Sequence, residues 1–273
     1  ELNKYFIQQK NNLMRQKHFY LFRAQFLGFR YSGWQKQPGQ KTIEGMLLKT
    51  LKFILPKRRL KVLGAGRTDA KVSAINAAFQ LILDGEPLSD EKEFMTLFNS
   101  NLPSDIKVLT IKKTNNSFNI IQHSKQKEYH YYFAFGEKIH PFCAPFMANF
   151  TADLDIDKMA LAARIFEGSH SFHNYTAQKS PNKSYDRTIN SCIIEKNQFY
   201  HGNFFPDKSY VLKIKSKGFV RYQVRMIMGA LLQLGEGKLS IDDIDFSLKV
   251  GNDFKIPVVA PGSGLLLNDL DFE

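Results

Sequence analysis

Apolar positions along this 273-residue chain alternate between two rhythms, one with a period of two and one near 3.6. These are the spacings of one face of a strand and one face of a helix. The aromatic and apolar run at 19–27 predicts a strand. Ile43, Met46, Leu47, Leu51 and Ile54 recur at helical spacing, predicting a helix over 42–55 with Thr42 as its N-cap. Strands are expected near 59–64, 75–83 and 105–112, and a helix near 89–98. Asn115-Asn116-Ser117 reads as a loop between two halves. The second half opens with an alternating aromatic strand at 127–135: Tyr129, Tyr131 and Phe133 on one face, His130 and Tyr132 on the other. A helix near 157–167, a polar loop at 174–190 and strands near 192–200 and 209–216 follow. A longer helix is expected over 219–234, with Val220, Val224, Ile227 and Leu231 on one face. Ser240 to Asp243 reads as a capping box for a short helix to about 249, and a last strand is expected near 264–271. The pattern divides the chain into an N-terminal arm or extra helix at 1–18, an α/β domain at 19–115 and a second at 116–273.

Composition narrows the class. Hydrophobic residues at 43% and charged residues at 23% are ordinary for a globular chain with a real core. Lys and Arg number 38 against 26 Asp and Glu, a formal charge of +12. That excess suits a polyanionic partner through phosphate neutralisation and counterion release, without separating RNA from DNA or an acidic membrane. Cys143 and Cys192 lie far apart without metal-ligand spacing and read as idle buried thiols. His170 and His173 are three apart, but no second pair or carboxylate cluster joins them, so no metal site is expected. There is no P-loop and no G-x-G-x-x-G, so no nucleotide cofactor is expected either. With no 18-residue apolar run and no signal-peptide pattern, a cytoplasmic location without a membrane partner is expected.

The most informative stretch is Gly64-Ala65-Gly66-Arg67-Thr68-Asp69-Ala70-Lys71-Val72-Ser73-Ala74, between two apolar segments. Glycines there allow a sharp turn and the close approach of a ligand. Asp69 is the lone carboxylate of the stretch and stands beside basic side chains. Asp in such a turn is either a backbone-bonding turn residue or a reagent.

The run resembles the G-R-T-D-x-G-V-H signature of the TruA-type tRNA pseudouridine synthases, and the resemblance continues in that family's order. Gly33-Trp34-Gln35-Lys36-Gln37 resembles its G-W-Q-x-Q segment, and Thr42-Ile43-Glu44-Gly45 the helix start after it. Asn99 to Ile106 resembles N-x-x-L-P-x-D-I, Lys127-Glu128-Tyr129-His130-Tyr131 resembles K/R-x-Y-x-Y, and Gly168-Ser169-His170-Ser171-Phe172 resembles G-x-H-x-F. Phe219 through Val224-Arg225 to Gly229 resembles F-x-x-x-x-V-R-x-x-x-G, and Ala260-Pro261 with Gly264-Leu265 resembles the closing A-P-x-x-G-L.

The resemblance implies an α+β fold: two related α/β domains whose mainly antiparallel sheets flank a basic cleft. It implies a cofactor-independent isomerase that converts uridine to pseudouridine in tRNA, in the anticodon stem-loop, as a homodimer. It assigns Asp69 as the catalytic carboxylate, acting as nucleophile or as base on the sugar. Arg225 becomes its charge partner, keeping a carboxylate ionised in a closed site. Arg67 falls to the target nucleotide's backbone, Tyr129 to stacking on the extracted base, and Leu265 to an apolar wall. Departures from the pattern are Lys71 where the family usually has Gly, Ser73 where it has His, Phe26-Leu27-Gly28 for Y-D-G, and Phe118 to Ile121 for F-x-x-R. The competing expectation is a noncatalytic RNA-binding paralogue that keeps the cleft. A nuclease reading lacks the carboxylate cluster of a two-metal site.

Overall fold

The computed structural model of the chain describes residues 16–180 and 183–272. The expected arm at 1–18 lies almost wholly outside the described residues. The chain forms two compact units. The first holds the described residues up to Ala70, Ala74–Ser124 and Phe272; the second holds Lys71–Ser73 and Lys125–Asp271. Helices and mostly antiparallel strands make up both, as the expected α+β class requires.

In the first unit, strand β1 (Lys17–Phe26) lies between β3 (Ser73–Asp84) and β4 (Ile106–Thr114), antiparallel to both. The short β2 (Leu60–Gly64) pairs antiparallel with β3. Side chains of β1 alternate, so Tyr20, Phe22, Ala24 and Phe26 turn into the core. Phe22 stacks on Phe79 at 4.7 Å between centroids and meets the edge of Phe98 at 6.1 Å. Burying a side chain of this size stabilises by roughly 1.5–3 kcal/mol. Helix α1 (Ile43–Ile54) starts where expected: Thr42 Oγ1 accepts from Gly45 N–H at 3.2 Å, and Ile43, Leu47 and Leu51 face inward. Helix α2 (Glu91–Asn101) is capped by Asp90, which accepts from Glu93 N–H at 2.8 Å. Its Asn99 amide donates to the Val108 carbonyl at 2.9 Å and accepts from Val108 N–H at 2.8 Å, clamping α2 to β4. Asp105 accepts from the Tyr31 hydroxyl at 2.7 Å and from the Arg30 guanidinium at 2.6 Å.

In the second unit the strand order is β10 (Leu265–Phe272), β5 (Ser124–Phe135), β9 (Ser209–Ser216), β8 (Asp186–Lys196), β7 (Gly168–Ser171). The short β6 (Ala148–Phe150) runs parallel to β5. Several expected bounds shift here. The expected loop at 174–190 contains the start of β8, because the polar Asp186-Arg187-Thr188 pair with the equally polar edge strand β7. The strand expected to 200 ends at Lys196. The short strands β6 and β7 carry no alternating pattern long enough to read in sequence. Helix α3 (Ile156–Ala163) begins on Asp155 and runs into a 3₁₀ turn at Arg164–Phe166. Helix α4 (Gln223–Gly235) begins four residues later than expected, because Tyr222 takes a left-handed backbone (φ 66°) that no helix continues through. Apolar almost all round, α4 is buried on nearly every side. The capping box predicted at Ser240 forms: Ser240 Oγ accepts from Asp243 N–H at 3.1 Å and the Asp243 carboxylate accepts from Ser240 N–H at 2.8 Å, opening α5 (Ile241–Ser247). Cys143 and Cys192 are free and buried. Among the described residues, no helix is long and apolar enough to cross a membrane.

Candidate active site

The loop that joins β2 to β3 carries Asp69, and its course is set by residues far away in sequence. Ile43 N–H and Glu44 N–H, unpaired donors at the start of α1, bond to the carbonyls of Gly33 and Trp34 at 3.1 and 3.0 Å. The Glu44 carboxylate accepts from Lys36 N–H at 2.7 Å. The segment at 33–36 is thus tied down by a helix end. It in turn holds the Asp69 loop: Trp34 N–H donates to the Thr68 carbonyl at 3.0 Å. Gly33 sits at φ +95°, and a Cβ there would lie 2.6 Å from Thr68 O and 3.1 Å from the Asp69 carbonyl carbon. The Trp34 indole is buried, tilted against Phe26 and Phe79, and rests over Gly64, where any Cβ would collide with it. Asp69 emerges half-buried from this seat, and Arg67 is exposed. Lys71 is left-handed at φ 66° and exposed, while Val72 is buried in the second unit's core.

The other predicted residues belong to the second unit. Tyr129 is half-buried on β5, packed against that unit's core, with its ring edge-on to Phe219 at 5.3 Å. Tyr131, two residues on along the same face, is fully buried, and its hydroxyl donates to the Pro261 carbonyl at 2.9 Å. Burial pushes that phenol well above its ordinary pKa, so it stays a neutral donor. Gly264 lies against the Tyr131 ring, where a Cβ would come within 2.7 Å of Cζ. Leu265 follows it and is buried in the same core cluster. Arg225 is half-buried on the first turn of α4. Its Nε donates to the Ala260 carbonyl at 2.7 Å, Ala260 N–H returns a bond to the Arg225 carbonyl at 3.0 Å, and its guanidinium lies 4.8 Å above the Tyr222 ring. Among the described residues, no group of three or more His, Cys, Asp or Glu could hold a metal ion.

The sequence that folds this way has relatives among known proteins. The chain is 31% identical over 247 residues to the tRNA pseudouridine synthase A of Limosilactobacillus reuteri, covering 90% of this chain and 93% of that one. It is 32% identical over 251 residues to the protein of the same name from Acinetobacter baylyi, covering 90% and 87%. The chain belongs to the tRNA pseudouridine synthase A family. The tRNA pseudouridine synthase A of Thermodesulfovibrio yellowstonii is 30% identical over 251 residues, covering 89% and 95%. Residues 162–273 also match the family described as tRNA pseudouridine synthase.

Membership puts the motifs in a new light, because several are structural in this member of the family. Asn99 of N-x-x-L-P-x-D-I holds α2 to β4, and Asp105 holds Arg30 and Tyr31 at the end of the 3₁₀ turn Gly28–Arg30. His170 of G-x-H-x-F donates from Nε2 to the Glu167 carbonyl at 2.7 Å, and Phe172 is core. Gly33 and Trp34 form the seat of the Asp69 loop. The family-atypical Lys71 occupies a backbone conformation that glycine adopts without strain. Sequence reasoning did not find Tyr222, the bonds between Ala260 and Arg225, or the seating role of Trp34. The motif at 33–37 marked Trp34 without saying what it touches, and Tyr222 left no local signal, since tyrosine is among the residues least expected at positive φ.

Proposed function

We propose that this chain is an isomerase that converts uridine to pseudouridine in the anticodon stem-loop of tRNA, with Asp69 as the catalytic carboxylate. The observation that carries the reading is similarity over about nine-tenths of this chain to proteins named tRNA pseudouridine synthase A. The rigid seat beneath the Asp69 loop supports it. In the reaction the C1′–N1 bond of uridine breaks, the base turns, and C5 bonds to C1′. The C5 proton leaves and N1 gains one, so composition is unchanged and no redox partner enters. Asp69 acts at C1′ or on the sugar. Arg225 pairs with Asp69 and keeps it ionised. Tyr129 stacks on the extracted base, contributing roughly 1–3 kcal/mol against the few kcal/mol that flipping costs. Arg67 clamps the target nucleotide's backbone through its two-directional donor fork, and Leu265 closes the apolar wall. Two related α/β domains flank a basic cleft for the RNA, and two copies of the chain share one tRNA. The excess of cations in the chain, +12, supports a phosphate-tracking surface.

The test is incubation with an unmodified tRNA transcript and chemical mapping of pseudouridine, beside Asp69→Asn. The expected result is one anticodon-arm pseudouridine with the parent chain and none with the variant. Product from Asp69→Asn at the parent rate, or no product on any tRNA, refutes the assignment.

A further inference from the structure

Position 222 has the backbone of a glycine and the side chain of a tyrosine. Gln223 N–H bonds to the Val220 carbonyl at 3.1 Å, closing a tight turn, and Val220 N–H bonds back to Gln223 Oε1 at 2.8 Å. Tyr222 is the third residue of that turn at φ 66°, ψ 3°, the slot where glycine or asparagine is the default. A bulky side chain there is strained, and strain of this kind persists where something else requires the residue. Tyr222 is also the N-cap of α4, yet its side chain makes no capping bond. Backbone preference and capping therefore both argue for a different residue. What tyrosine supplies is a ring.

That ring lies under the guanidinium of Arg225 at 4.8 Å, and Arg221 stands 5.2 Å from it. Arg225 lies three residues beyond Tyr222, on the first turn of α4, and the turn at 222 brings the ring to its guanidinium. Two unlike contacts meet at the guanidinium here: Nε–H donates to the Ala260 carbonyl at 2.7 Å, and Cζ stands over the Tyr222 ring, 4.8 Å from its centroid. A carbonyl fixes one donor direction, and a ring beneath the group restricts rotation about that bond. We propose that Tyr222 is a positioning residue that sets the plane of the Arg225 guanidinium, so that its terminal amino groups present a fixed fork to a carboxylate. The inference rests on the reading that Arg225 takes part in the reaction.

The test uses the full chain with Tyr222→Gly, Tyr222→Phe and Arg225→Gln, and Tyr222→Gly combined with Arg225→Gln. Glycine suits the backbone at 222, so Tyr222→Gly relieves the turn while giving up the ring's packing against the second unit's core, and the variant is expected to remain folded, with a thermal midpoint that Tyr222→Phe brackets from above. Single-turnover pseudouridine formation is expected to slow about ten-fold in Tyr222→Gly, with tRNA affinity within about two-fold, and to recover in Tyr222→Phe. In the Arg225→Gln background, Tyr222→Gly is expected to cost nothing more. The Arg225 Nε–H proton, shielded by the ring in the parent and in Tyr222→Phe, is expected to move downfield in Tyr222→Gly. A parent rate in Tyr222→Gly alongside a slow Arg225→Gln overturns the proposal and leaves the Arg225 reading standing. An equal loss from Tyr222→Gly in both backgrounds overturns it too, since the tyrosine would then act without Arg225. A parent rate in Arg225→Gln overturns the Arg225 reading, and the positioning role with it.

Discussion

Gly33→Ala is expected to cripple the enzyme through the backbone of the Asp69 loop, leaving every proposed catalytic side chain unchanged. The glycine lies at φ +95°, so alanine there costs about 1–2 kcal/mol in backbone strain alone. Its new Cβ would stand 2.6 Å from the Thr68 carbonyl oxygen where ordinary contact begins at 3.4 Å, a shortfall of about 0.8 Å. The colliding atom is backbone and cannot rotate away. Either the 33–36 segment lifts from the end of α1, or the Thr68-Asp69 peptide moves. The Trp34 N–H bond to Thr68 is lost either way, at about 1 kcal/mol. The sum predicts roughly 2–3 kcal/mol of lost stability. A carboxylate displaced by close to 1 Å costs about 100-fold in rate. The assay is single-turnover pseudouridine formation on a saturating tRNA transcript, with thermal melts confirming a folded variant. Gly39→Ala is the control: it has the same left-handed backbone at φ +69° and nothing within 4 Å of a new Cβ. It should lose about 1 kcal/mol of stability and keep the parent rate. Folded Gly33→Ala with the parent rate, or equal losses in both variants, would refute the seat.

Three further outcomes follow from other parts of the structure. Lys71→Gly relieves a left-handed lysine at φ 66° but loosens the unfolded chain, so urea denaturation should show a net gain of about 0.5 kcal/mol. Burial alone would raise the Asp105 carboxyl, but bonds from Tyr31 and Arg30 outweigh it and hold the carboxyl below its ordinary value. A carboxylate depressed on folding stabilises above its unfolded pKa and loses that contribution as pH falls through its folded one. Asp105→Asn should therefore cost about 1–3 kcal/mol at pH 7, and the gap to the parent should shrink in melts carried down through the carboxylate range. Gly229→Ala would press a Cβ into the Val258 carbonyl beside buried α4, and should cost more than 3 kcal/mol in thermal unfolding or leave the chain insoluble.

Much of the architecture is legible in the order of residues alone. Thr42 and Ser240 mark helix starts because a side-chain oxygen capping a free N–H is a local act, decided within three residues. Alternation shows β1 and β9 because one face of each is buried and the period of two records it. The family resemblance singles out the Asp69 loop, Tyr129, Arg225 and Leu265, and with them the reaction to test. The features that sequence does not show have one physical cause: they depend on partners distant along the chain. The polar start of β8 is a strand only because β7 lies beside it, and α4 begins late only because Tyr222 is held left-handed in a turn. Nothing near Asp69 in the chain reveals that a tryptophan 35 residues earlier bonds the loop, or that Gly33 and Gly64 are glycine because a backbone and an indole occupy the space. Local sequence determined which segments are helix and strand and which loop carries the acid. Tertiary packing decided where that acid is held, because a hydrogen bond from Trp34 to Thr68 or a close contact of Gly33 with Thr68 leaves no trace in the spacing of either end.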